Sequence, residues 1–347
     1  MIKKQHFFVK ASVIAFYLLF GMNLHAETVK PGQIIGGVEH AAPDWFKESF
    51  LEIAEDVEEA TEEGKHVLLF FQLNGCPYCD RMLKESFETS PYADYIQQKF
   101  DVIAVNVRGD REIAFNEEVN VTEKTLSEML NVRATPAIVL LNEDNKTVVR
   151  VNGYRAAERL KEVLQYVDSK AYAKGIKLSE YLDSQFTEAV YQSRANPIFT
   201  QTSDLSTIKG PLALVFEDAG CYECNELYDD ILAREEVKKE VKPFTFVRIN
   251  LESDGDIVDV DGQKLSLKAL AEKYKMIYRP GILLFNEGQL HRRYDSLLFS
   301  HHFKEGFRFV AGQHYKNGDY GHYSEKRTAQ LLADGIDIDL SYGKKAN

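Results

Sequence analysis

The four cysteines of this 347-residue chain fall into two Cys-x-x-Cys pairs, Cys76-Pro-Tyr-Cys79 and Cys221-Tyr-Glu-Cys224. A dithiol at this spacing exchanges disulfides when one sulfur is a good nucleophile near neutral pH and the other reaches back to resolve the mixed disulfide. A helix N-terminus meets the first need, because its free N–H groups and dipole favour thiolate, and two intervening residues place the second sulfur one turn on. Gly75 permits a tight strand-to-helix turn, and Pro77 suits the first helical position, where its missing N–H costs nothing. Cys76 is then the attacking sulfur and Cys79 the resolving one, with Pro77 and Tyr78 as candidate substrate-binding residues beside them. A four-sulfur zinc site is disfavoured, since the second pair begins 145 residues after the first and each follows its own apolar run. No metal or cofactor is expected. A purely structural role fits Cys76–Cys79 poorly, because so short a loop gains little stability. For Cys221–Cys224 that role stays open beside a redox one: Glu223 lies between the sulfurs, Glu217 and Asp218 lie just upstream, and carboxylates weaken a thiol nucleophile. Arg279 offsets that charge if it points at the pair.

The elements that must position these pairs repeat. An apolar run, His66 to Phe71, precedes the first pair, and Leu212 to Phe216 precedes the second; both suit buried strands. A second strand follows in each case (Asp101 to Val107, Phe244 to Leu251), then a polar segment and a helical stretch (Thr125 to Asn131, Ser266 to Lys275). Each helix leads to a proline before an apolar strand, Pro136 and Pro280. Cys76 precedes Pro136 by 60 residues and Cys221 precedes Pro280 by 59. An X-Pro bond here can be cis, turning the chain sharply and leaving the preceding backbone free to pair with an extended peptide. Thr135-Pro136 would offer that surface beside Cys76, and Arg279-Pro280 its counterpart. A hairpin strand (Thr147 to Val151, Gln289 to Tyr294) and a helix (Arg155 to Ser169, Phe299 to Val310) close each unit. This alternation predicts an α/β fold, a mixed sheet flanked by helices, occurring twice in tandem. Residues 171–191 read as one connecting amphipathic helix, 192–208 as a loop, and 312–347 as an extension packed on the second unit.

The chain begins with Lys3 and Lys4, followed after Lys10 by an apolar run to Gly21 and a small residue at Ala26, the parts of a cleavable secretory signal. The expected division is therefore 1–26 signal, 27–195 first unit and 196–347 second unit with its extension. The net charge of −12 becomes −15 without the three signal lysines, which argues against nucleic acid or anionic membrane as a partner. No membrane-spanning segment is expected after cleavage. Both cysteine pairs remain, and an exported compartment lets such pairs persist as disulfides. Other motifs dissolve: Asp254 to Asp261 lacks the spacing and Glu of a calcium loop and reads as a solvated acidic hairpin, and His301-His302 has no metal-spaced partner.

At Cys76-Pro-Tyr-Cys79 with Thr135-Pro136, the chain resembles the thioredoxin superfamily. Pro43-Asp-Trp-Phe-Lys-Glu-Ser-Phe50, the Gly75-to-Cys79 run and Gly153-Tyr154 are similar to the SoxW-type periplasmic thioredoxin-like proteins over roughly residues 40–168, and the second unit resembles a more divergent thioredoxin fold. The resemblance implies disulfide exchange with protein partners, an external redox partner, a cis proline at Pro136 and a periplasmic setting. Thioredoxin proper carries a buried acid six residues before its first Cys. Phe70 and Val215 stand there in this chain, so proton handling by that acid is not carried over. The expected activity is a thiol:disulfide oxidoreductase reducing protein disulfides. The rivals are a disulfide oxidant or isomerase, and a thioredoxin-fold module that only binds partners.

Overall fold

Two continuous apolar runs, each buried on both faces, organise the molecule. The computed structural model describes residues 30–185 and 188–341, so the expected secretory signal lies outside the described residues. The first half contains β1 (Ile34–Ile35), α1 (Ile53–Glu62), β2 (His66–Gln72), α2 (Pro77–Met82), α3 (Ala93–Lys99), β3 (Phe100–Asn106), β4 (Glu112–Asn116), β5 (Val119–Thr122), α4 (Glu123–Met129), β6 (Ala137–Leu141), β7 (Thr147–Asn152) and α5 (Ala157–Asp168). α6 (Leu178–Gln185) follows, with Leu182 in the first core, and the second half contains β8 (Leu212–Glu217), α7 (Cys224–Glu226), α8 (Glu235–Val241), β9 (Thr245–Asn250), β10 (Asp256–Val258), β11 (Lys264–Ser266), α9 (Leu267–Lys273), β12 (Gly281–Asn286), β13 (Gln289–Tyr294), α10 (Ser300–Ala311), α11 (Tyr320–Ala333) and β14 (Ile338–Asp339).

Each unit is built on a four-stranded mixed sheet, ordered β3-β2-β6-β7 in the first and β9-β8-β12-β13 in the second. The strand before the cysteines pairs in parallel with the next strand, His66 opposite Phe100 and Leu212 opposite Thr245. The strand after the proline pairs with it antiparallel, Phe71 opposite Ala137 and Phe216 opposite Gly281. Side chains alternate across a strand, so one apolar run feeds two cores. Leu68 and Phe70 pack with Met82, Phe87, Leu160 and Leu164 on one face, while Leu69 and Phe71 pack with Ile53, Val57 and Leu126 on the other. In the second unit Ala213 and Val215 face Leu227, Phe303 and Phe307, whereas Leu214 and Phe216 face Leu270 and Ile257. Fully burying one such Phe contributes about 1.5–3 kcal/mol. The expected tandem α/β architecture is therefore present. The polar segments after β3 and β9 each hold a short antiparallel hairpin, β4–β5 and β10–β11.

Four local expectations are corrected. α4 starts at Glu123 rather than Thr125, because the Thr122 side chain accepts the Thr125 N–H as an N-cap. Residues 171–191 are not one helix: a 3-10 turn at Ala171–Lys174 ends at Gly175, whose φ of +76° breaks it, and α6 begins afresh at Leu178. The acidic hairpin is only partly solvated, because Asp259 is buried and bonded to Lys273 and the Tyr274 hydroxyl. The C-terminal extension does more than pack on the second unit. It forms α11, capped by Asp319, and then β14 pairs in parallel with β1, tying it to the start of the described chain.

Candidate functional site

The turn after β2 presents the first pair. Gly75 has a φ of +73° with open space where a Cβ would stand, so the chain reverses sharply there into the helix. Cys76 caps α2, Pro77 occupies its first turn, and the helix runs on through a π-helical turn at Leu83–Glu88. Cys76 and Cys79 are disulfide-bonded, with their Cα atoms 5.3 Å apart. The Cys79 N–H donates to Cys76 Sγ at 3.1 Å, and the Thr135 hydroxyl donates to the same sulfur at 3.4 Å. Thr135 comes from the α4-to-β6 connection, and its bond to Pro136 is cis. Topology thus brings together Cys76, Cys79, Pro77, Tyr78, Thr135 and Pro136, because β6 lies antiparallel beside β2 with its start next to the end of β2.

The second pair is built differently. Cys221 and Cys224 form a disulfide with Cα atoms 5.4 Å apart, but the helix begins only at Cys224, with Glu223 in the capping position. Cys221 therefore stands outside the helix, contrary to the expected placement of the leading sulfur at a helix start. Asp218 and Glu217 are each paired with an arginine, and Glu223 accepts a backbone N–H. Arg279, preceding cis Pro280, donates through Nε to Asp218 at 2.9 Å, so it answers Asp218 and not Glu223. Its remaining bonds go to the Met276 and Tyr278 carbonyls. Burial lowers the Arg279 pKa despite Asp218. Glu217, fully buried, accepts from Tyr228 Oη at 2.6 Å and Ser193 Oγ at 2.7 Å, and pairs with Arg248. Glu223 is buried, which raises its pKa, and its Oε1 accepts the Ala156 N–H at 3.0 Å from the other unit.

Residues distant in sequence complete the first site. The Phe299 ring stacks on Tyr78, centroids 3.7 Å apart and planes 8° from parallel, and Phe299 joins Cys76 and Cys79 in one apolar cluster with Leu73 and Leu298 at its edge. The Phe299 N–H donates to Tyr78 Oη at 2.7 Å, and His302 Nδ1 lies 3.0 Å from the same oxygen. Burial pushes the His302 pKa down to about 4, with His301 and Arg292 adding to the effect. A neutral imidazole can accept, so Tyr78 Oη accepts from the backbone while donating to His302. Arg81, two residues after Cys79, grips Glu226 through both Nη atoms at 2.8 and 2.9 Å. None of Arg81, Glu226, Phe299 and His302 was singled out as a site partner from the sequence. The contacts join residues more than 140 positions apart, and no local periodicity marks them.

Among the described residues, no cluster of His, Cys, Asp and Glu could hold a metal ion, and no helix is long and apolar enough to cross a membrane.

A thioredoxin-like domain family model matches residues 53–168 and again 201–311, which together exceed half of the chain. Solved structures with similarity include a thioredoxin-fold protein from Helicobacter pylori, 19% identical over 39% of this chain and 89% of that one, with a TM-score of 0.33. A thioredoxin from Thermus thermophilus is 25% identical over 35% of this chain and 88% of that one, TM-score 0.28. StoA from Bacillus subtilis is 22% identical over 28% and 81%, TM-score 0.22. No curated protein sequence matches the chain. With two matched regions, each containing one Cys-x-x-Cys pair at disulfide distance, the chain belongs to the thioredoxin-like domain family and carries that domain twice.

Proposed function

We propose that this protein is an exported thiol:disulfide oxidoreductase that reduces disulfides in protein partners, with Cys76 as nucleophile and Cys79 as resolving thiol. The observation that carries this reading is the pair of donors aimed at Cys76 Sγ, the Cys79 N–H and the Thr135 hydroxyl. Donors directed at a sulfur favour its anionic form, and the thiolate is the reacting species. In the reduced chain the Cys76 thiolate attacks one sulfur of the partner's disulfide, forming a Cys76–partner bond as the partner's S–S bond breaks. The departing partner thiolate takes a proton. Cys79 then loses its proton and attacks Cys76 Sγ, closing the Cys76–Cys79 disulfide and releasing the second partner thiol. Two electrons pass from this chain to the partner, and an external dithiol reductant must return them. The resemblance to SoxW-type proteins, the signal-like residues 1–26 and a division of the remainder near residue 195 belong to this same reading.

The test is the reduction potential of Cys76/Cys79 with Cys221 and Cys224 both replaced by Ser, combined with trapping of partners on Cys79→Ser. A value near about −270 mV supports a reductase, and one near about −120 mV reverses the electron flow in favour of an oxidant. Partner disulfides reduced at full rate by Cys76→Ser would remove Cys76 from the mechanism.

A further inference from the structure

The two units meet through equivalent parts of their folds. The third residue of each Cys-x-x-Cys motif accepts a backbone N–H from the residue that caps the other unit's closing helix: Phe299 donates to Tyr78, and Ala156 donates to Glu223. Arg81 and Glu226, each two residues beyond the second cysteine of its motif, form the bidentate pair. Gly153 and Ser296, each three residues before the capping residue, are packed so closely that a Cβ on Gly153 would overlap the Ser296 side chain. When a contact from i to j is matched by one from j to i, and equivalent residues meet each other, the surface has local twofold character, as in an isologous dimer. Here one chain makes that surface between its own halves.

The arrangement covers the first cysteine pair, while the second pair lies in its own unit's core. Cys76 is 6% exposed, Cys221 1%, and Cys79 and Cys224 not at all. Pro77 and Tyr78 are buried with them, and the Phe299 ring lies against the pair. A disulfide carried by another protein cannot reach Cys76 Sγ in this state. The covering surface joins the apolar Tyr78–Phe299 stack to a ring of polar contacts: the Arg81–Glu226 pair, the two capping N–H bonds, and Arg159 Nη2 donating to the Gly220 carbonyl at 2.9 Å. Interfaces of that composition between domains of one chain commonly permit relative motion.

We propose that this face is a latch: the chain rests closed, with Leu298 and Phe299 seated over Cys76–Cys79, and a partner gains access only when the units part. Opening breaks the symmetric contacts as one event, so it frees the Phe299 and Ala156 amides together and uncovers Cys76. The consequence for partner access rests on the role given to Cys76 above; the opening does not.

Hydrogen exchange on the full chain tests it. The Phe299 and Ala156 amides should show a common protection factor, lower than that of the core strand amides of Leu69 and Leu214. Glu226→Arg places two cations together and should speed both amides by about five- to tenfold, and the swap of Arg81→Glu with Glu226→Arg should slow them again. In the reduced chain with Cys221 and Cys224 as Ser, the high-pH plateau of Cys76 alkylation should rise with Glu226→Arg by a similar factor. Exchange of Phe299 and Ala156 only in step with Leu69 and Leu214 in the unaltered chain would overturn the latch, whether or not the variants fold. Coupled amide opening with an unchanged alkylation plateau would overturn its control of Cys76. Coupled opening with a raised plateau, but no disulfide exchange with any protein, would leave the latch standing and remove the proposed function.

Discussion

Thr135→Val tests whether the hydroxyl beside Cys76 acts on the sulfur or merely fills space. Valine keeps the branched shape and deletes the one donor among the described residues that reaches Sγ, at 3.4 Å, from outside the motif. Hydrogen bonds to charged groups contribute about 1.5–3 kcal/mol, and a long bond to sulfur belongs at or below the low end, about 1–1.5 kcal/mol. That corresponds to about a five- to twelvefold smaller thiolate population at a fixed pH below the transition. Because the thiolate is the nucleophile, iodoacetamide alkylation near neutral pH should slow by the same factor. The measurement is the alkylation rate of the reduced chain, with Cys221 and Cys224 as Ser, across a pH series. Its midpoint should move to higher pH by about 0.7 to 1.1 units, while the plateau, which reports access, stays within about twofold. Thr135→Ser, which retains the hydroxyl, should return the midpoint toward that of threonine. Superimposable profiles for Thr135→Val and the unaltered chain would refute the argument, as would a Thr135→Ser profile as displaced as that of valine.

Phe70→Ala empties a fully buried position in the first unit and should cost about 3–5 kcal/mol in denaturant unfolding; a loss below about 1 kcal/mol would contradict the packing described. Glu223→Gln keeps an acceptor for the Ala156 N–H and should leave the thermal midpoint nearly unchanged. Glu223→Ala strands that N–H and should destabilise by about 1–3 kcal/mol in the same melts. The depressed His302 pKa has a defined sign: between its ordinary value of about 6.5 and the folded value of about 4, the unfolded chain holds the extra proton. Stability from this group is therefore complete above pH 6.5 and is lost on acidification toward pH 4. His302→Gln should flatten that part of the stability–pH curve, and an unaltered slope would show that the acid sensitivity arises elsewhere.

Local order governed everything the amino-acid sequence determined by itself. An apolar run of strand length, followed by Gly75 and Cys76-Pro77, specifies a strand, a sharp turn and a helix start through backbone sterics and burial alone, wherever the rest of the chain goes. The near-constant spacing from cysteine to proline made the duplication legible in the same way. Local patterns failed where one glycine overrode amphipathic spacing, where a helix carried little apolar periodicity, and where the deciding partner was remote. Gly175 ended a helix that amphipathic spacing favoured, and α11 passed unnoticed because Leu331 is the one of its residues that is buried, so it carries little apolar periodicity. Arg279 had several acids in reach on paper, and only the placement of β12 beside β8 turned it to Asp218 rather than Glu223. The covering of Cys76 is the furthest from sequence. Stacking and a backbone hydrogen bond between Tyr78 and Phe299 join residues 221 apart, and no hydrophobic period records which surface a side chain will meet once two folded units dock. Residue types and spacing therefore determined the chemistry available to the chain, whereas tertiary packing decided that both cysteine motifs face each other across one buried interface.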